Sequence, residues 1–268
     1  MRRYVQCVTV SMLLAGIGTV SAEQPKLFPQ IGIDASLPLQ WSNNVLTAPS
    51  DYQGDGSTSP YLKLSVGQLS PTEDTLGYSV YTTATGDVYN RIRDAESALA
   101  TIGANLTAVR GHYVFGGYFE HTYLYDGFYR QRVFTADDVS LFVQRKFVFK
   151  DIGLLIKPSF APAYRFADLD LARRAAYTFK IDVKKQIAEK YYFVATPKVK
   201  FLQYTDGANS DRRDWISSIS AGVEYDVSDD LSINANAGYE KRSSNFAGRD
   251  YDAFTVGLSI DFSRTFDR

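Results

Sequence analysis

The sequence predicts an all-β fold: a single antiparallel transmembrane β-barrel of about twelve strands, with short turns at one end and long loops at the other. Three observations predict it. Apolar and polar residues alternate through most of the chain after residue 22. The connections between the alternating segments are alternately short and long. Aromatic residues make up 14% of the chain, with 19 Tyr and 17 Phe against 2 Trp, and barrels place such residues in girdles at both membrane interfaces.

The amino-terminal segment is typical of a secretory signal peptide. Arg2 and Arg3 precede an apolar run that ends in the small residues Val20-Ser21-Ala22, so we expect cleavage after Ala22. This divides the chain into a signal peptide, residues 1–22, and a barrel domain, residues 23–268. Cys7 is the single cysteine and precedes the apolar run, where it cannot anchor a lipid, so the mature chain contains no cysteine.

Composition and charge exclude several classes of protein. The formal net charge of −1 does not favour nucleic acid as a partner. No apolar run after the signal reaches the roughly 20 residues that a transmembrane helix needs, which excludes a helical inner-membrane protein. The mean hydropathy of −0.21 fits a soluble protein, but it fits equally a barrel with a polar interior and an apolar exterior.

Twelve segments show the alternation expected of strands that separate lipid from water. The clearest is the last, in which Phe254, Val256, Leu258, Ile260 and Phe262 share one face. In chain order the predicted strands are Gln30–Ser42, Pro60–Leu69, Leu76–Thr85, Ala98–Arg110, His112–Tyr123, Asp138–Phe147, Ile152–Arg165, Ala175–Ile187, Tyr191–Tyr204, Trp215–Asp226, Leu231–Glu240 and Phe254–Phe262. One weak candidate for a helix interrupts this pattern, around Arg91 to Ala100.

The connections between these strands alternate in length. The short ones are Ser70–Asp74, Arg110-Gly111, Lys150-Asp151, Ala188–Lys190 and Ser228–Asp230. The long ones are Asn43–Ser59, Gly86–Ser97, Leu124–Asp137, Phe166–Arg174, Thr205–Asp214 and Lys241–Tyr251. Bacterial barrels have short periplasmic turns and long extracellular loops, and an even strand number places both termini in the periplasm. A periplasmic β-sandwich or a lipocalin-like barrel is the alternative.

Two parts of the sequence resemble known outer-membrane barrels. The run Phe254–Phe262 is similar to the terminal strand that the barrel-assembly machinery reads, although Ser263–Arg268 follow it and Phe266 is a second candidate for the closing aromatic. The segments Asp230–Asn245 and Asp250–Phe262 resemble the closing hairpin of barrels associated with exopolysaccharide loci, and Trp41–Val45 resembles their first outward loop.

The resemblance implies a bacterial outer-membrane location, with membrane lipids and lipopolysaccharide around the barrel and the barrel-assembly machinery as a partner during biogenesis. In shape and strand number the chain is also similar to small monomeric porins for acidic oligosaccharides. An anionic oligosaccharide or polysaccharide is therefore the solute class that the likeness implies, for export or for uptake.

Alternation also predicts which charged side chains face the lumen. Three neighbouring strands would form a basic wall from Lys157, Arg165, Lys180, Lys184, Lys198 and Lys200. Strands near the two chain ends would form an acidic wall opposite it from Asp34, Glu224, Asp226, Glu240 and Asp261. Such a lining predicts a narrow channel for anionic sugars or other small anions. The alternative is a structural or adhesive barrel in which these charges neutralise one another and nothing is conducted.

The sequence offers little support for an enzyme, a metal site or a cofactor. The two histidines, His112 and His121, lie nine residues apart on one predicted strand, hence on opposite faces, and no serine motif accompanies His121 and its acidic neighbours. We therefore expect no catalytic residues, no metal and no cofactor. The tyrosine-rich segment Tyr123–Arg130 is interpreted as part of the upper aromatic girdle, or else as a surface for stacking on sugars.

Overall fold

The computed structural model of the protein describes residues 29–45, 47, 53–73, 75–93, 96–127 and 129–266. These residues form fourteen antiparallel strands and a few single 3-10 turns, which confirms the all-β prediction. In order the strands are β1 (Gln30–Ser42), β2 (Asp55–Thr58), β3 (Tyr61–Gln68), β4 (Leu76–Tyr89), β5 (Ser97–Arg110), β6 (Tyr113–Asp126), β7 (Gln131–Arg145), β8 (Phe147–Phe149), β9 (Leu154–Ala167), β10 (Arg174–Ala188), β11 (Tyr191–Tyr204), β12 (Arg213–Asp226), β13 (Leu231–Ser244) and β14 (Tyr251–Phe266). The predicted signal peptide lies outside the described residues.

The sheet closes on itself as a barrel of twelve strand positions. Each strand pairs with its neighbour in sequence, and the first strand pairs with the last from Ile31↔Phe266 to Ser42↔Thr255. Two positions are each shared by two consecutive strands: β2 and β3 both pair with β1 and β4, and β7 and β8 both pair with β9. Closure leaves no open edge, which a sheet in hydrocarbon requires because nothing there can satisfy free N–H and C=O groups.

The connections at one end of the barrel, here called the turn end, are two to seven residues long, and the first residue of β1 and the last residue of β14 lie at the same end. These connections are residues 69–75, 111–112, 150–153, 189–190 and 227–230. The opposite end, the loop end, has the connections 43–54, 90–96, 127–130, 168–173, 205–212 and 245–250. In an outer-membrane barrel the turn end faces the periplasm and the loop end faces outwards.

Several strands continue further into the predicted loops than expected. β4 runs to Tyr89, β6 to Asp126 and β13 to Ser244, so the predicted loop Leu124–Asp137 shrinks to residues 127–130. The candidate helix near Arg91 is wrong, because β5 begins at Ser97. The physical reason is that strand pairing extends beyond the hydrocarbon, where outward side chains no longer need to be apolar and the alternation signal disappears.

At the carboxyl end, β14 passes Phe262 and continues to Phe266 in register with β1. The residues Ser263–Phe266 are therefore part of the closing strand rather than a tail beyond it. Phe266 lies on the same outward face as Phe262 and Ile260, so it is placed as a closing aromatic.

The outer surface carries the large apolar side chains. Val80 and Leu141 are each 61% exposed, and the rings of Tyr177, Phe201 and Trp215 form a contiguous patch with centroid distances of 6.2 and 4.8 Å. Such exposure would favour aggregation of a soluble protein but suits a lipid-facing surface. No helix in the described part of the chain is long and apolar enough to cross a bilayer.

One side of the lumen is filled by aromatic side chains that lie over inward glycines. The ring of Tyr81 on β4 covers Gly103 of β5, and its hydroxyl donates a hydrogen bond of 2.7 Å to Glu120 of β6. Phe142 of β7 covers Gly116 of β6 in the same way. Inward residues beneath this layer are buried, including Ser79 at 3% and Ser140 at 2% exposure. The side of the barrel from β3 to β7 is called the filled half below.

Adding a methyl group at Gly103 is expected to destabilise the barrel. A Cβ there would lie 2.5 Å from Cζ of Tyr81, so the ring would have to leave its position and release Glu120. We expect Gly103→Ala to lower the free energy of unfolding by about 1–3 kcal/mol, measured by urea titration in lipid vesicles. Gly56→Ala is the matched control, because a Cβ at Gly56 meets only the Gln40 carbonyl at 3.9 Å. Equal stability of the two variants would contradict the ring-over-glycine packing.

Candidate functional site

The strand register places all the charged residues predicted for the lumen on the inner face. On β10 and β11, for example, Lys180 is the Cα partner of Lys198, while Phe179 pairs with Val199 on the lipid side. The same alternation puts the following residues inside: Lys157, Arg165, Lys180, Lys184, Lys198, Lys200, Asp34, Glu224, Asp226, Glu240 and Asp261.

Several of the predicted basic residues are neutralised by neighbouring carboxylates. Arg165 makes two hydrogen bonds of 2.9 and 2.8 Å to Asp138 of β7, and Lys180 Nζ lies 3.0 Å from Asp182 Oδ2. Lys184 Nζ lies 2.6 Å from Glu224 Oε1 and 4.1 Å from the centroid of the Tyr192 ring. Among the described residues, no carboxylate lies within 4.0 Å of the Nζ atoms of Lys198 or Lys200.

The predicted arrangement of a basic wall facing a separate acidic wall does not hold for Glu224. This residue lies on β12, two strands from β10, and reaches across β11 to Lys184. It therefore belongs to the basic side of the lumen. The other acidic residues are held by hydroxyl and amide donors: Asp34 accepts from Ser263, Glu240 accepts from Tyr251, and Asp261 accepts from Ser36, Asn234 and Ser259.

A buried ionic cluster at the loop end was not predicted from the sequence. Asp214 is fully buried and pairs with Arg212 at 2.8 Å and with Arg242 at 3.0 Å. Arg212 also lies over the ring of Tyr204, 4.5 Å from its centroid, and Arg174 approaches the same ring at 5.7 Å. Most of these residues sit at strand ends, where the sequence pattern gives no reliable face. The only signal in the sequence that could have indicated the cluster is the concentration of arginine residues near the loop ends of β10, β12 and β13.

The side of the lumen from β12 to β14 is open. In the middle of these strands the inward residues are small: Ser218, Ser220, Gly222, Asn234, Asn236, Gly238, Thr255, Gly257 and Ser259. Ser220 and Asn236 remain exposed although they face inwards, in contrast to the buried inward serines of the filled half. These three strands are called the open half.

Besides a mostly apolar cavity of about 1050 Å³ next to β12, β13 and β14, two cavities lined by charged side chains lie along the open half. Towards the loop end, a cavity of about 440 Å³ is lined by Lys180 and Lys198 on one side and by Asn44, Glu240 and Tyr251 on the other. At the turn end, a cavity of about 590 Å³ is lined by Lys184, Glu224 and several aspartates. The lumen thus has room for a passage that runs off the barrel axis, next to the lysines of β10 and β11.

At the loop end, Asp168 ties the connection after β9 to β7. It accepts hydrogen bonds from the backbone N–H of Thr135 at 2.9 Å and from the Thr135 hydroxyl at 3.0 Å. The backbone hydrogen bond from Thr135 is the main reason that the pKa of Asp168 lies below its ordinary value. This loop is therefore held at the rim rather than over the lumen.

The two histidines lie far from the lumen cavities. His112 is in the turn between β5 and β6, and His121 faces the lipid side, with Nδ1 2.7 Å from Asp137 Oδ1. Its sequence neighbours Glu120 and Asp126 face inwards, so they are not its partners, contrary to the grouping that their proximity in sequence suggested. No group of three or more His, Cys, Asp or Glu side chains in the described ranges is arranged to hold a metal ion.

The tyrosine-rich segment is part of β6 as far as Asp126. Tyr123 and Tyr125 lie in β6 and face outwards, and the Tyr129 hydroxyl donates to the carbonyls of Thr85 and Leu99. This placement at the loop-end rim fits the girdle interpretation better than a free loop.

Comparison with known proteins supports the architecture. A family model described as "Putative beta-barrel porin 2" matches residues 172–264, the part of the chain that contains β10 to β13 and nearly all of β14. No curated protein sequence matches the chain.

Two solved structures share the fold. The COG4313 outer membrane channel from Pseudomonas putida F1 is 12% identical, with a TM-score of 0.58 over 94% of this chain and 100% of that one. The NanC porin is 13% identical, with a TM-score of 0.53 over 85% of this chain and 98% of that one. The chain therefore shares the closed β-barrel fold of these outer-membrane proteins, and its residues 172–264 match a porin family model.

Proposed function

We propose that the barrel is a narrow channel that conducts anionic sugars or other small anions through its open half. The observation that carries the proposal is the pair of cavities beside β10 and β11, with Lys180 and Lys198 lining the one towards the loop end. A twelve-strand barrel has room for either a pore or a side-chain plug. Here large residues occupy one half only, so the small inward residues of β12 to β14 leave space for a solute.

The charges of the passage support an anionic solute. Lys198 and Lys200 have no carboxylate within 4.0 Å among the described residues, so their ammonium groups are available to a passing carboxylate or phosphate. Lys180 shares its charge with Asp182 and adds a weaker attraction. Charged side chains that line a narrow lumen set ion selectivity in this way. The sugar part of the proposal rests on the likeness of the chain ends to exopolysaccharide-associated barrels.

A non-conducting structural or adhesive barrel is the second candidate. It is favoured by the ion pairs Arg165–Asp138, Lys180–Asp182 and Lys184–Glu224, which neutralise three of the six predicted basic residues inside the lumen. Under this alternative the remaining lysines would be solvated but would guide nothing. Conductance separates the two candidates directly.

The test is the reversal potential of single channels in planar bilayers under a tenfold KCl gradient. We expect anion preference for the unaltered protein, and a shift of about 10 mV or more towards cation preference in the double variant Lys198→Gln, Lys200→Gln. Lys241→Gln is the matched control, because Lys241 faces outwards on β13. Cation preference in the unaltered protein would contradict the solute class, and absence of any current would contradict the channel itself.

A further inference from the structure

The charges of the open half are separated along the barrel axis as well as around it. The cavity at the turn end is lined by Lys184 and Lys190 but by a larger number of carboxylates. These include Glu224, Asp226, Asp229, Asp230 and Asp261. Lys184 is already paired with Glu224, so this end of the passage is negative.

The outer part of the passage has the opposite sign. Lys180 and Lys198 face Glu240 in the cavity of about 440 Å³, and Glu240 already accepts the Tyr251 hydroxyl. Closer to the loop end, Arg174 and Lys200 line a smaller cavity of about 150 Å³ together with the paired residues Arg165 and Asp138 and with Glu120. In these two cavities the five cations Lys180, Lys198, Arg165, Arg174 and Lys200 outnumber the carboxylates of Glu240, Glu120 and Asp138, even when Asp182, the partner of Lys180, is added, so the outer part of the passage is positive.

The distance between the two regions exceeds the range of screened charges. Lys198 lies six residues along β11 from Tyr192, the Cα partner of Glu224. With a rise of about 3.3 Å per residue and a tilt of about 40°, this is roughly 15 Å along the axis. The Debye length is about 10 Å at 0.1 M salt. Each region therefore keeps its own potential and its own counterions.

We propose that the channel rectifies, passing more current when the compartment at its turn end is positive. Under that polarity anions enter through the cationic outer half while cations enter through the acidic turn end, so both carriers accumulate where the two regions meet. Under the reverse polarity each ion has to enter through the region that repels it, so the middle of the passage is depleted of ions. In the outer membrane this favours inward movement of anions over outward movement. The inference rests on the proposed channel function and adds a preferred direction to it.

The experiment records single-channel current at equal and opposite voltages in symmetric KCl. We expect a current ratio of about two or more at 0.1 M, falling towards one at 1 M, where the Debye length is about 3 Å. Orientation is assigned with Arg249→Cys, since Arg249 is exposed in the loop between β13 and β14 and the mature chain has no other cysteine. After biotinylation, streptavidin reduces the current only from the compartment that faces the loops.

A double variant, Asp226→Asn with Asp229→Asn, tests the electrostatic cause. Both residues line the turn-end cavity, and rectification should fall by at least about half without loss of conduction. Asp151→Asn is the matched control, because Asp151 lies at the same end but outside that cavity. Symmetric currents at 0.1 M, the opposite polarity, or rectification that persists in the double variant would overturn the inference while leaving the channel intact. Absence of current at any voltage would instead remove the proposed function, and the inference with it.

Discussion

Replacing Ser220 with tryptophan is expected to reduce the single-channel conductance by more than about half. Ser220 faces the lumen at the middle of β12 and is exposed, since only small residues lie beside it on β13 and β14. An indole at this position would project into the space that the filled half leaves free. Since the opposite side of the lumen is already packed by Tyr81 and Phe142, the passage has no other place to widen. The measurement is the conductance histogram in planar bilayers at 1 M KCl, where surface charge contributes least.

Ser217→Trp provides the matched control. Ser217 lies three residues away on the same strand and faces the lipid, so the added ring would join the outer apolar surface. We expect its conductance to equal that of the unaltered protein. If the two variants conducted equally well, the passage would have to lie elsewhere in the lumen, and its assignment to the open half would be wrong.

Replacing Asp214 with alanine is expected to destabilise the barrel by about 3 kcal/mol or more. Its carboxylate is fully buried between Arg212 and Arg242, whose side chains are only 6% and 19% exposed. Removal of the carboxylate leaves two buried guanidinium groups without a counter-charge, which costs more than the ion pair itself contributes. The quantity to measure is the free energy of unfolding by urea in lipid vesicles, read from tryptophan fluorescence, because Trp215 is adjacent in sequence.

Asp211→Ala serves as the comparison for this variant. Asp211 is exposed in the same loop, and its backbone carbonyl, not its carboxylate, accepts the hydrogen bond from Asn245. We expect its stability to change by less than about 0.5 kcal/mol. Similar losses in both variants would mean that the loop, and not the buried ionic cluster, accounts for the effect.

The sequence was sufficient to predict the barrel and the side of the sheet on which each charge lies. Alternation has a period of two along a strand, so Lys180, Lys198 and Glu224 could be assigned to the inner face without coordinates. It could not predict which charges meet. Glu224 reaches Lys184 by crossing β11, and that contact depends on side-chain length and on the relative height of strands that are not neighbours.

The packing of the barrel interior could not be predicted from the sequence either. Gly103 and Gly116 look like ordinary small residues on alternating strands, and nothing local shows that Tyr81 and Phe142 lie over them. The loop lengths were overestimated for a related reason, because β6 and β7 continue as a paired ribbon above the membrane where their side chains are mixed in polarity. The alternation of apolar and polar residues marks the part of a strand that faces lipid. The strand itself can continue beyond that part.

The rings that cover Gly103 and Gly116 show that the circumference of the barrel and the width of its pore are separate properties. The number of strands fixes the circumference of the barrel, and hence the ring of backbone hydrogen bonds that must be assembled before it can enter a bilayer. The bore is fixed by how much of that circumference is occupied from within. A glycine that accepts a ring, or a serine that leaves a gap, changes the bore without breaking a single hydrogen bond between strands. A few substitutions of inward residues can therefore change which solutes a barrel admits. Its circumference and its assembly stay the same.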